Sequence, residues 1–210
     1  MRKAVIWDLD GTLLDSYDVI VESLYLTFRE QNILIPKEVI RHCAIAFSIR
    51  SLFAKVEDKW GVPVEALQQR YSQVSGSKYR DIKAMPNARK VLSALENRGI
   101  ENYVFTHRGK TTMPVLENLD IDRFFKEVIT SQSGFARKPA PDGLTYLMKT
   151  YDLCTDATYY VGDRSIDMEC AKNAGIFGIL YLPDGAIDVS GGSENYLVHD
   201  LLDILEIVEK

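Results

Sequence analysis

Ala4-Val5-Ile6-Trp7-Asp8-Leu9-Asp10-Gly11-Thr12-Leu13-Leu14-Asp15-Ser16 is the stretch that decides how this chain is read. Ala4 to Trp7 is a short apolar run with the length of a buried strand. It stops at Asp8 and Asp10, which share one face of an extended chain because side chains alternate. Gly11 lets the chain turn tightly, and Asp15 or Ser16 offers an N-cap for a following helix. Two carboxylates crowded at the C-terminal end of a strand need a cation. Mg2+, a hard ion that takes oxygen ligands and bridges carboxylates to phosphate, meets that need. Taken alone, the stretch also reads as a polar strand end with a turn.

The rest of the chain narrows the choice. It has 210 residues, 46% hydrophobic and 26% charged, room for one domain with a substantial insertion. A net charge of −5 gives no bulk attraction to nucleic acid or anionic membrane. An anionic substrate must therefore be held by local positive groups. Cys43, Cys154 and Cys170 are odd in number and show no Cys-x-x-Cys spacing, so neither a disulfide framework nor a zinc site is indicated. Each is expected to be a small buried apolar side chain. The run before Asp8 is too short for a signal peptide, and nothing approaches the ~18 apolar residues of a membrane span. A cytoplasmic protein, monomer or homodimer, is expected.

Between residues 17 and 81 the apolar positions recur only at helical spacing. One face is Val19, Ile20, Ser23, Leu24, Leu26, Thr27 and Phe28. Pro36 starts a second helix through Ile40, Cys43, Ala44 and Phe47. A third carries Leu52, Phe53, Val56 and Trp60 to Gly61, and a fourth Val64, Leu67, Tyr71 and Val74. This segment reads as an all-helical insertion. From Met85 onward helices alternate with apolar strands. The helices span 87–98, 111–119, 143–151, 167–174 and 201–208. The strands span 101–106, 126–130 and 157–161, with 176–181 as the last. A Gly-rich loop is expected at 185–192, and Ser190-Gly191-Gly192-Ser193 reads as a flexible loop. Such alternation predicts a parallel sheet covered on both faces, with the ligand site beyond the strands' C-terminal ends. Asp8, Thr106 and Asp163 are expected to meet there.

Four polar clusters follow in order: Asp8 and Asp10, Thr106, Lys138, then Asp163 and Asp167. Each alone has an ordinary reading as a cap, a turn or a solvated side chain. Together, with Asp-x-Asp-Gly-Thr-Leu at 8–13, they resemble the four motifs of the haloacid dehalogenase-like (HAD) hydrolases. The likeness covers roughly residues 1–16 and 84–182. It implies a Rossmann-like α/β core at 1–16 and 82–210. The helical insertion at 17–81 resembles, in position and length, the C1-type cap of the phosphoglycolate phosphatase-like subgroup.

The resemblance implies a Mg2+-dependent phosphatase acting on a small phosphomonoester: phosphoglycolate, a sugar phosphate, a nucleotide or pyrophosphate. Asp8 is then the nucleophile, forming an aspartyl-phosphate. Asp10 protonates the leaving oxygen and activates water. Thr106, the backbone N–H of His107 and the Gly11 turn hold the phosphoryl group. Lys138 bridges Asp8 and the phosphate. Asp163 completes the Mg2+ shell with Asp8 and the Asp10 carbonyl, and Asp167 orients a metal-bound water or Lys138 from outside that shell. The His107 side chain is read as uninvolved, and Arg164 as contacting the cap or lying in solvent, with solvent favoured. In the cap, Phe47-Ser48-Ile49-Arg50 reads as a loop, with Arg50 the first candidate for a substrate anion and Lys78-Tyr79-Arg80 the second. Hinges are expected near 15–18 and 81–86. The alternatives are a sugar phosphomutase of the β-phosphoglucomutase type, separated by isomer formation, and a non-catalytic binding domain on the same fold.

Overall fold

A computed structural model describes residues 2–187 and 191–209. The chain opens with β1 (Arg2–Trp7) and the two-residue β2 (Leu14–Asp15). Four helices follow: α1 (Tyr17–Glu30), α2 (Lys37–Ala46), α3 (Ile49–Trp60) and α4 (Val64–Ser77). The short β3 (Lys83–Ala84) leads into α5 (Ala88–Asn97), β4 (Glu101–Phe105), α6 (Thr112–Asn118) and β5 (Phe125–Ile129). The chain continues through α7 (Asp142–Thr150), β6 (Leu153–Gly162), α8 (Ser165–Ala174), β7 (Phe177–Tyr181), β8 (Tyr196–Val198) and α9 (Ile204–Val208). It divides into two compact units, residues 1–15 with 84–210, and Ser16–Lys83.

The first unit is an α/β core around a six-stranded parallel sheet of order β5-β4-β1-β6-β7-β8. Ala4, Val5, Ile6 and Trp7 are wholly buried, which is why β1 reads as a continuous apolar run: helices cover both faces of a parallel sheet. The buried indole of Trp7 donates its N–H to Asn102 Oδ1 at 2.9 Å. From β1 the chain builds outward through β4 to β5, then crosses to build β6, β7 and β8 on the other side. The order therefore reverses between β1 and β6, where open α/β sheets hold their ligands. Trp7 is in register with both Val104 and Val161, so Asp8, Thr106 and Asp163 leave the sheet at nearly one level.

The second unit is all helical. Its core joins Ile20, Leu24 and Phe28 of α1 to Ile40 of α2, Phe53 and Val56 of α3 and Leu67 of α4. Phe28 and Phe53 meet edge to face, with ring centroids 6.1 Å apart. Ser23 and Thr27 sit on the buried face because each hydroxyl donates to the carbonyl four residues back.

Several sequence expectations are corrected. The strand at 176–181 is not the last: Tyr196–Val198 adds a sixth, too short for alternation to show. β6 begins at Leu153, four residues before the apolar run, with a register shift against β1 between Arg2 and Ala4. Arg50 is not in a loop but in the first turn of α3, whose N-cap Ser48 accepts the Ser51 N–H at 3.0 Å. Cys170 is buried as expected, whereas Cys43 and Cys154 are only half-buried. Ser16 takes the N-cap of α1 without a capping hydrogen bond. The loop expected at 185–192 lies partly outside the described residues, at 188–190. Among the described residues no helix is long and apolar enough to cross a membrane.

Candidate active site

The turn after β1 delivers the first carboxylates. Asp8 extends the strand, its N–H donating to Val161 O of β6 at 2.8 Å. The chain then folds back, with the N–H groups of Leu13 and Leu14 both donating to Leu9 O at 3.0 and 2.8 Å. Gly11 takes φ +85°, a left-handed geometry that glycine enters without strain, and its N–H is committed to Leu14 O at 2.9 Å. Its contribution to the site is thus the shape of the turn.

Asp8 meets Lys138, which lies 130 residues on. Lys138 Nζ is 2.7 Å from Asp8 Oδ1 and 2.7 Å from Asp167 Oδ1, and all three side chains are buried. Asp167 reaches the ammonium because it stands in the first turn of α8 against the end of β6. Gly162 makes the room: a Cβ there would lie 2.3 Å from the Asp167 Cβ. The Tyr160 hydroxyl is 2.9 Å from Phe105 O and 3.2 Å from Asp167 Oδ1, and its one proton serves one of them at a time. Arg164 N–H donates to Asp167 Oδ2 at 3.3 Å.

The charges of this cluster do not balance. Burial opposes ionisation of Asp8 and, despite the attraction of Lys138, leaves its carboxyl above the ordinary range. Burial works on Asp167 too, but Lys138 and Arg164 together outweigh it and hold that carboxyl below the ordinary range. Lys138, which burial alone would discharge, is held charged by Asp167 and Asp8. Two carboxylates around one ammonium lack positive charge. Asp163 adds a third: Asp8, Asp163 and Asp167 each place a ligand atom within 4.8 Å of the others. An all-oxygen, electron-rich set of this kind fits a hard divalent cation. Thr12 Oγ1 lies 3.4 Å from Asp163 Oδ1 and steadies it.

Asp10 lies in a second, more open cluster. Arg108 Nη1 donates to Asp10 Oδ1 at 2.8 Å. The Arg108 backbone N–H donates to Thr106 Oγ1 at 3.2 Å, and Arg108 O accepts the Ser131 N–H at 3.0 Å. The loop after β4 is therefore pinned to the turn after β1 on one side and to the end of β5 on the other.

His107, between them, turns its ring the other way. Its Nε2 accepts the backbone N–H of Lys138 at 2.9 Å, so the proton of the neutral ring is on Nδ1. Burial, with the nearby cations Lys138, Arg137 and Arg164, pushes the imidazole down to about 3. The side chain expected to be uninvolved thus anchors the segment that carries Lys138. Arg164, expected to favour solvent, is half-buried, and its charge acts on Asp8, Asp167 and His107.

Residues 5–180 match the family model of the haloacid dehalogenase-like hydrolases. The chain belongs to that family. This HAD-like hydrolase is similar along its length to phosphoglycolate phosphatases. That of Pasteurella multocida is 26% identical, covering 99% of this chain and 98% of the relative. That of Vibrio parahaemolyticus is 26% identical over 98% and 96%. Among solved structures, a predicted phosphoglycolate phosphatase from Haemophilus somnus has a TM-score of 0.86 at 22% identity, covering 98% of this chain and 97% of that one. A HAD-like family protein from Streptococcus pneumoniae has a TM-score of 0.84 at 23% identity, over 98% of each chain. At such identities the structures speak for the fold alone.

In this HAD-like hydrolase, Asp8, Lys138, Asp163 and Asp167 come together in one buried cluster, and Asp10, Thr106 and Arg108 in one chain of contacts beside it. Arg50 lies exposed in the helical unit. Sequence reading passed over Arg108, the His107 ring, Tyr160 and Thr12. Only Thr12 carried a signal, as part of the Asp-x-Asp-Gly-Thr-Leu stretch.

Proposed function

We propose that the chain is a Mg2+-dependent phosphatase that hydrolyses a small phosphomonoester through an aspartyl-phosphate on Asp8. The observation that carries this reading is the Lys138 ammonium 2.7 Å from Asp8, beside three buried carboxylates gathered within 4.8 Å. Asp8 and Asp163 side chains, with the Asp10 carbonyl, would hold Mg2+. Asp167, whose oxygens meet Lys138 and the Arg164 N–H, would orient Lys138 or a metal-bound water. When bound, Mg2+ supplies positive charge that keeps Asp8 ionised and lowers the repulsion between nucleophile and phosphate.

The protein's own groups do the rest. One oxygen of Asp8 is held by Lys138, which leaves the other to attack phosphorus. The P–O ester bond breaks as the Asp8–phosphorus bond forms, and the departing oxygen takes a proton from Asp10. Asp10 then removes a proton from water, which attacks phosphorus, releases inorganic phosphate and restores Asp8. Lys138, the Thr106 hydroxyl and the His107 N–H hold the charge on the phosphoryl oxygens as it passes. The names of the relatives favour phosphoglycolate as first substrate. The helical unit, from its place in the sequence, acts as the C1-type cap, with Arg50 its first candidate anion contact. A cytoplasmic enzyme belongs to the same reading.

The test is phosphate release from a panel of phosphorylated metabolites, with and without Mg2+. Wild type is expected to release phosphate only with Mg2+, and Asp8→Asn to lose turnover. Substantial Asp8→Asn activity would rule out the covalent route.

A further inference from the structure

Arg108 is nine-tenths buried, yet only part of its guanidinium is used. Asp10 takes Nη1, whereas the Nε–H is buried and without a hydrogen-bond partner. A buried donor left open is unfavourable, so the fold has placed a cationic edge where an acceptor belongs. That edge, Nε with Nη2, is the one a planar carboxylate fits with two parallel hydrogen bonds. Arg70 uses it in this same chain, donating from Nε and Nη2 to the two carboxylate oxygens of Glu30. Position matters as much as chemistry. Arg108 is joined to Asp10 and to Thr106 Oγ1, so its guanidinium stands at the ends of β1 and β4 beside the groups assigned to the phosphoryl. Lys138 is not available for a second anion: Asp8 and Asp167 take two of its three N–H groups, and the third is assigned to the phosphoryl group.

We infer that Arg108 is a specificity-determining residue whose Nε edge binds a carboxylate on the substrate, close to the phosphoester. Asp10 holds the arginine in place and the substrate's carboxylate fills the open edge. The inference rests on the phosphatase reading and deepens it by naming the side chain that reads the carboxylate of a phosphorylated hydroxy acid. Lysine, a point charge without the planar fork, replaces arginine poorly in such a site.

The test compares 2-phosphoglycolate with ethyl phosphate, in which a methyl group replaces the carboxylate. Steady-state kinetics with Mg2+ are measured for wild type, Arg108→Gln and Arg108→Lys. Wild type is expected to favour 2-phosphoglycolate in kcat/KM by ~10- to 100-fold, the value of charged hydrogen bonds to one carboxylate. Arg108→Gln is expected to bring the ratio to about 1–3, and Arg108→Lys to an intermediate value. Using a ratio cancels any effect of freeing Asp10, which acts on both esters. A wild-type ratio near one, or an unchanged ratio in Arg108→Gln, overturns the inference and leaves Arg108 as an anchor for Asp10.

Calorimetric titration of Asp8→Asn and Asp8→Asn/Arg108→Gln with the same two esters needs no turnover. If wild type releases no phosphate but loss of Arg108 weakens 2-phosphoglycolate selectively, the phosphatase reading fails and the carboxylate site stands. Equal weakening of both esters removes the carboxylate site.

Discussion

Asp8 and Asp10 are two residues apart, leave the same strand and carry the same group, yet they are held in opposite ways. Asp8 is sealed in the interior against Lys138, which it shares with Asp167. Asp10 keeps about a fifth of its side chain in solvent and is held by one nitrogen of Arg108. The difference follows from the sheet. Asp8 continues β1 between two neighbouring strands, whereas Asp10 stands on the turn that leaves it. A sealed ion cluster is costly to form and costly to break, because each charge depends on its partner for what water would supply. A pair with its carboxylate partly in water is less costly to break, because water can replace the lost partner of that carboxylate. The lesson is a division of labour under the proposed mechanism: the buried cluster would fix the attacking carboxylate, and the Asp10–Arg108 pair would handle the proton and the rest of the substrate.

Breaking each cluster at its cation tests this most severely. Lys138→Met leaves two buried carboxylates facing each other. It is expected to abolish turnover and to lower stability by ~3–5 kcal/mol, read from urea unfolding. Arg108→Met is expected to cost only ~1–2 kcal/mol, since Asp10 keeps access to water. Equal losses would dissolve the distinction.

Gly162→Ala attacks the sealed cluster without touching a charge. The added methyl would overlap Asp167, and relief pushes that carboxylate off Lys138. A loss of ~1–3 kcal/mol is expected in the same unfolding assay, with a fall in kcat.

His107 gives the comparison a pH axis. The ring is held near 3 when folded against 6.5 when free, so between those values the unfolded chain binds the extra proton. Stability from His107 is complete above about pH 6.5 and is lost as pH falls toward 3, at up to ~1.4 kcal/mol per pH unit. Melting temperatures from pH 7.5 to 4 are expected to fall less in His107→Gln than in wild type.

Tyr160→Phe is the mildest probe. It removes a hydroxyl beside Asp167 that also serves Phe105 O, and a loss of about 1 kcal/mol with modest effect on turnover is expected.

These clusters also mark how far the sequence could be read. Strand ends showed in local pattern, so Asp8, Thr106 and Asp163 could be placed together beyond the C-terminal ends of a parallel sheet, whereas Asp10, Lys138 and Asp167 were singled out by the resemblance of the ordered motifs to those of the HAD-like hydrolases. The helical insertion was legible from its 3.6-residue apolar rhythm. Contacts that depend on where a side chain turns were not. His107 to Lys138 spans 31 residues and Arg108 to Asp10 spans 98, and no periodicity carries that information. Arg164 read as a solvated cation because arginine usually is one, and Arg108 was passed over. β8 escaped because three residues, Tyr196–Val198, are shorter than the two-residue alternation needs to declare itself.

The backbone hydrogen bond from Met85 N–H to Leu13 O, 2.9 Å long, has a consequence for descent. It ties the core to itself on either side of the point where Ser16–Lys83 departs and returns. Seen from the core, that excursion is a loop whose mouth is already stitched shut, and lengthening such a loop costs little entropy. Selection can therefore rewrite the excursion, in length and in side chains, while the sheet and the Asp8 turn stay put. A lineage built this way can change what hangs from one fixed stitch without disturbing the core.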